Sequence, residues 1–139
     1  MMSKLNQSQY KSIVRKLIPA FIKAGKTSIQ LSGAKLKIFT KEDGTPVSNG
    51  DLAVDRILQT AIKKITPSIE IVSEETIKRN KVKKRNTFWL IDPIDGTSAY
   101  IKNKDEYTLN ASLIVNKIPV LGIIFAPKKK RLFYSYGKG

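Results

Sequence analysis

Thr87-Phe88-Trp89-Leu90-Ile91 runs straight into Asp92-Pro93-Ile94-Asp95-Gly96-Thr97. The first five residues have the aromatic and β-branched character of a buried strand. The strand is expected to end abruptly at Asp92, because Asp-Pro and Asp-Gly are turn pairs. Those last six residues have two local readings. One is an ordinary turn. The other is a site: two carboxylates three residues apart, with the carbonyls between them, offer oxygen ligands to a hard cation such as magnesium. Pro93 would then stiffen the turn, and Gly96 would let the backbone approach a phosphate. Thr97 would stand at a helix N-terminus, where free N–H groups favour an anion.

Upstream, Leu5 to about Leu31 reads as a helix, with Tyr10, Ile13, Leu17 and Phe21 at spacings of three and four. Pro19 lies inside it and is expected to kink or split it. Leu36, Ile38 and Thr40 alternate with lysines as a short half-exposed strand, and Glu42 to Pro46 is a turn or hairpin connection. Ser48 and Asp51 have capping-box spacing at the start of a second helix. Its apolar face is Val54, Leu58, Ala61, Ile62 and Ile65, and Thr66-Pro67-Ser68 ends it. A strand from Ile69 leads to Glu74-Glu75. Lys78 to Arg85 carries six positive charges in eight residues and is expected to be a solvated loop.

Downstream, a short turn or helix spans Thr97 to Ile101. Strand signals follow at Thr108 to Asn116, Pro119 to Ala126 and Arg131 to Tyr136, a meander of three antiparallel strands. The fold class is α+β: two long helices packed on a mainly antiparallel sheet, in a single domain over residues 1–139.

The 139 residues are 41% apolar, enough for one core. There is no cysteine and no histidine. That excludes disulfides, thiolate metal sites, zinc-histidine sites and Ser-His-Asp catalysis, and leaves oxygen ligands for any metal. No signal peptide is read at the start, and no apolar run has membrane-spanning length, so a cytoplasmic protein is expected. With 26 basic and 11 acidic residues the net charge is +15, which favours anionic partners. A lysine-biased genome explains that charge equally well. The few acids concentrate at Asp51, Glu74-Glu75 and Asp92/Asp95, at helix and strand ends that can converge on one sheet edge. Each also has a plain local reading: Asp51 as a helix cap, Glu74-Glu75 as surface charge.

Trp89-Leu90-Ile91-Asp92-Pro93-Ile94-Asp95-Gly96-Thr97 resembles the signature of the inositol monophosphatase superfamily, and Ser73-Glu74-Glu75 resembles its acidic partner motif. Lys41 to Asp51 is similar to the family segment that closes on an aspartate. Tyr100-Ile101-Lys102, Glu106 to Asn110 and Pro119 to Gly122 resemble the CysQ-type 3'(2'),5'-bisphosphate nucleotidases within that superfamily. The resemblance departs at Ser98-Ala99, where that branch commonly has Lys-Glu, and at Ser48, where it commonly has Thr.

The resemblance implies a layered sugar-phosphatase-like fold. It implies magnesium held by Glu74, Asp92, the Ile94 carbonyl and Asp95, with Glu75 supporting. It implies that Asp51 and Thr97 orient and deprotonate the attacking water, and that the Gly96 and Thr97 amides hold phosphate. The implied reaction is in-line hydrolysis of a small anionic phosphate ester, 3'-phosphoadenosine 5'-phosphate, to AMP and phosphate. Family location further implies the cytoplasm or the periphery of the inner membrane. Because family members carry a second αβ domain, the chain is expected to be an N-terminal half with weak or no activity alone. Its expected complement is self-association or a separately encoded C-terminal half.

Other readings stand beside this one. An inositol or sugar phosphate phosphatase would share the same motifs. A basic nucleic-acid-binding protein would use Lys78 to Arg85, Lys128 to Arg131 and the nearby Tyr134 and Tyr136. No recognition signature supports it, so specific nucleic-acid binding is not expected. A remnant without activity is the last.

Overall fold

Asn6 and Gln9 cap the first helix reciprocally, each side chain accepting from the other's backbone N–H. This helix, α1, spans Gln7–Leu31 in a computed structural model that describes residues 5–73 and 86–137. It is one continuous helix through Pro19, so of the kink or split expected there the split does not occur. Pro19 and Arg15, four residues earlier, are both exposed. The carbonyl that proline leaves without its helical bond therefore lies on the solvated side, within reach of water.

A 3-10 turn at Gly33–Lys35 leads into a small antiparallel hairpin, β1 (Ile38–Thr40) and β2 (Pro46–Ser48). β1 begins later than Leu36 and is exposed throughout, in a two-stranded sheet with β2 alone. Helix α2 (Asn49–Ile65) follows at once. Ser48 Oγ accepts from Asp51 N at 3.1 Å while Asp51 Oδ2 accepts from Ser48 N at 2.9 Å. This capping box contributes about 1 kcal/mol to the helix start.

The main sheet has the order β3-β4-β5-β6-β7, with β3 (Ile71–Ser73), β4 (Phe88–Asp95), β5 (Thr108–Val115), β6 (Ile118–Ala126) and β7 (Arg131–Tyr136). β3 and β4 are parallel and every other pair is antiparallel. Asn116 and Lys117, at φ 50° and 66°, make the tight β5–β6 turn. The two long helices pack on one face of the sheet, giving the α+β architecture read from the sequence. Leu17, Phe21 and Ala24 of α1 and Val54, Leu58 and Ile62 of α2 meet Trp89, Ile91, Leu113 and Ile123. All of these are buried, and they form one core.

Strand β4 does not stop at Asp92. It continues through Pro93 and Ile94 to Asp95. Asp92 pairs with Asn110 and Asp95 with Thr108, so two residues of β4 oppose the single residue Leu109. This is a β-bulge, and it has room for Pro93, which cannot donate to a regular ladder.

Candidate active site

The bulge decides where the two aspartates go. In an unbroken strand, residues three apart face opposite sides. Here the extra residue resets the alternation: Pro93 and Ile94 are both buried and Asp95 is exposed. Asn110 and Thr108, two apart on β5, share one face. Their partners Asp92 and Asp95 therefore share it too, on the side away from the helices.

Beyond Asp95 the chain turns at Gly96, with φ 89°. A side chain there would be strained, and its Cβ would lie 2.8 Å from the Glu106 carbonyl oxygen. The turn launches α3 (Thr97–Ile101). Thr97 Oγ1 lies 3.2 Å from Asp51 Oδ1 and 3.2 Å from the Ile94 carbonyl oxygen, which share its one proton as acceptors. Asp51 is fully buried, and its other oxygen accepts from Ser48 Oγ at 2.5 Å. Two residues 46 apart in sequence are thus joined.

Two carboxylates and a carbonyl are an all-oxygen donor set of the kind magnesium takes. That ion commonly binds through one or two carboxylates and fills its remaining positions with water and substrate oxygens. The residues present fit it on that chemistry. Among the described residues, no group of three or more acidic or other metal-binding side chains comes together. Glu74 and Glu75, like Lys78 to Arg85, lie outside the described residues.

Asp55 was not singled out from the sequence. It sits one turn after Asp51, within the stripe of Val54, Leu58 and Ile62, and is 5% exposed. Its carboxylate accepts from Ser73 Oγ at 2.5 Å and from Gln59 Nε2 at 2.9 Å. It ties α2 to the last residue of β3. An acid inside an apolar stripe was the available signal. Asp55→Ala removes the acceptor of both bonds and is expected to cost about 1–3 kcal/mol. Urea unfolding should show it as a lower midpoint, with Asp55→Asn falling less.

Two buried tyrosines complete the inner side. Tyr100 and Tyr107 meet edge to face at 4.8 Å between ring centroids. Tyr100 OH donates to the Ser28 carbonyl at 2.7 Å. Ser28 Oγ gives its proton to the Gly25 carbonyl, so Tyr107 OH, 2.8 Å away, donates to Ser28 Oγ. Burial pushes both phenols above their ordinary range. For Tyr100 the neighbouring Tyr107 and Asp51 add to that, and for Tyr107 the bond to Ser28 works against it.

A raised phenol keeps its proton in the folded chain at pH values where the unfolded chain has lost it. Its stabilisation is complete below about pH 10 and declines as pH rises further, by about 1.4 kcal/mol per pH unit for each phenol. Urea midpoints measured from pH 9 to 11 should fall more steeply in the unaltered chain than in Tyr100→Phe or Tyr107→Phe.

Among the described residues, none covers the sheet face that carries Asp92. Leu90, Ile124 and Phe133 are 44%, 46% and 57% exposed there, around a concavity of about 460 Å³ that Asp92 and Asn110 also line. Among the described residues, no helix is long and apolar enough to cross a membrane.

The profile of the inositol monophosphatase family matches residues 9–139. The 3'(2'),5'-bisphosphate nucleotidase CysQ of Salmonella typhimurium is 36% identical over 115 residues, which cover 81% of this chain and 47% of that protein. The chain spans about half the length of the curated relatives it matches. The extragenic suppressor protein suhB from Bartonella henselae superposes with a TM-score of 0.78 at 21% identity, over 90% of this chain and 49% of that one. An IMPase/NADP phosphatase solved with Mg2+ and phosphate superposes at 0.72 and 22% identity, over 88% and 47%. At those identities the structural likeness is one of fold.

Proposed function

We propose, from the premise that this chain belongs to the inositol monophosphatase family, that it supplies the metal- and phosphate-binding half of a magnesium-dependent phosphate-monoester hydrolase. The substrate is proposed to be 3'-phosphoadenosine 5'-phosphate, with AMP and phosphate as products. The observation that carries the proposal is the Thr97–Asp51 contact beside the bulge that turns Asp92 and Asp95 to one face. The substrate class follows the CysQ relatives, the more similar in sequence.

Each residue has a proposed role. Asp92, the Ile94 carbonyl and Asp95, with Glu74, would hold magnesium. When bound, that ion makes water a better nucleophile and stabilises the leaving oxygen. Asp51 is the proposed base. Its Oδ2 is fixed by Ser48, which leaves Oδ1 aimed at Thr97. A water that donates to Thr97 Oγ1 passes its proton through that hydroxyl to Asp51 Oδ1, so water is oriented and deprotonated by one relay. The amides of Gly96 and Thr97 are proposed to hold phosphate oxygens, where the bare backbone at Gly96 admits close approach. Glu75 is proposed to support this set.

The open face beside Asp92 limits the rate. A site that water enters freely loses much of its preorganised electrostatic stabilisation. Full turnover is therefore proposed to need further polypeptide over Leu90, Ile124 and Phe133, in a longer chain or from a partner. Single-turnover phosphate release tests this, with protein in excess and magnesium titrated. The expected result is slow, magnesium-dependent release from 3'-phosphoadenosine 5'-phosphate, faster than from inositol monophosphate. Faster release from the inositol ester would overturn the substrate assignment. Rates in the ordinary enzyme range of about 1–10³ s⁻¹ would overturn the need for a cover.

A further inference from the structure

The five residues of α3 have one buried side chain among them, Tyr100. Thr97 lies three residues earlier, on the same side of the helix. Whatever fixes Tyr100 therefore fixes Thr97. Three contacts do so. The hydroxyl is tied to the Ser28 carbonyl of α1. The ring meets the edge of Tyr107, which is itself tied to Ser28 Oγ. On the remaining side lies Gly50, the residue before Asp51. A Cβ added at Gly50 would come within 2.6 Å of two Tyr100 ring carbons and closer still to its hydroxyl oxygen. Gly50 is helical, so glycine is not needed there for its backbone angles. It is needed for the space that Tyr100 fills.

Two adjacent residues of α2 thus face two residues of α3 that share a side: Gly50 against Tyr100, and Asp51 against Thr97. The second contact, at 3.2 Å, is already long for a hydroxyl hydrogen bond. A shift of α3 by a few tenths of an ångström away from α2 breaks it. We propose that Gly50 and Tyr100 are positioning residues that set the separation of Thr97 and Asp51. The inference rests on the proposed function for its consequence in catalysis, but not for its geometry.

The test therefore reads geometry first. Threonine methyl groups are labelled with ¹³C, and the Thr97 signal is assigned by its loss in Thr97→Val. Gly50→Ala is expected to move that signal toward its position in Asp51→Asn. Tyr100→Phe removes the oxygen that the new methyl meets and releases the ring from Ser28. Gly50→Ala/Tyr100→Phe is accordingly expected to return the Thr97 signal most of the way. A folded Gly50→Ala protein with an unmoved Thr97 signal would overturn the inference, as would a double variant no closer to the starting position. If Gly50→Ala does not fold, recovery of the fold and of the Thr97 signal in the double variant supports the inference, and failure of either overturns it. Single-turnover hydrolysis in the same proteins is expected to fall by about 10²-fold in Gly50→Ala and to recover in part. Absence of hydrolysis in every protein, with the predicted signal shifts present, would count against the proposed function and leave the positioning role standing.

Discussion

Asp51→Asn is expected to lower magnesium-dependent phosphate release by about 10²–10⁴-fold, the range that a positioned general base supplies. The asparagine keeps the shape of the side chain, and its amide oxygen can still accept from Ser48. It cannot take a proton from water at neutral pH. Folding should therefore survive while the rate falls toward that of the solution without protein. Thr97→Val gives a second view of the same relay, because it removes the hydroxyl and keeps the volume. If water reaches Asp51 through Thr97, both variants lose a similar factor, and the double variant loses little more than either alone. A rate in Asp51→Asn within threefold of the unaltered chain would remove Asp51 from the mechanism.

Trp89→Ala is expected to cost about 3–5 kcal/mol, a large share of the roughly 5–15 kcal/mol that holds a domain of this kind together. Trp89 is fully buried near the start of β4, and its indole N–H donates to Thr66 Oγ1 at 3.0 Å. It joins β4 to the C-terminal cap of α2. Removing it opens a cavity between the two and ends that bond. Because Trp89 is the single tryptophan, unfolding must be followed by circular dichroism and not by intrinsic fluorescence. Trp89→Phe retains most of the burial and is expected to cost less than half as much. A loss below about 1 kcal/mol in Trp89→Ala would place this side chain outside the core.

Much of this arrangement was legible in local pattern. The Ser48–Asp51 capping box, the Val54–Leu58–Ile62 stripe and the apolar run into Asp92 each depend on near neighbours, and each formed as expected. The three-strand meander followed from the alternation over Thr108 to Asn116 and the turn signals after it. The phase of β4 was not legible in this way. A bulge is set by what the partner strand does, so nothing within Asp92-Pro93-Ile94-Asp95 showed that both aspartates would face one way. The effect of Pro19 depended similarly on its facing solvent. Asp55 and the Gly50–Tyr100 fit were hidden for a different reason. Each joins elements that lie apart in sequence, Asp55 with Ser73 and Gly50 with Tyr100, and becomes visible once α2 is packed on the sheet and α3.

The open face beside Asp92 connects fold to function. Alternation showed that β5 would have two faces, but not that Leu90, Ile124 and Phe133 would gather on the one that carries the aspartates. An apolar surface of this kind next to a polar site is where closure against further polypeptide would exclude water.

Phosphate release from 3'-phosphoadenosine 5'-phosphate, by folded chain in excess over substrate, with and without magnesium and with Asp92→Asn in parallel, is the most direct test of the proposed site. The proposed function predicts slow release that requires both magnesium and Asp92. Release that persists in Asp92→Asn, or none from a chain shown to be folded, would contradict it.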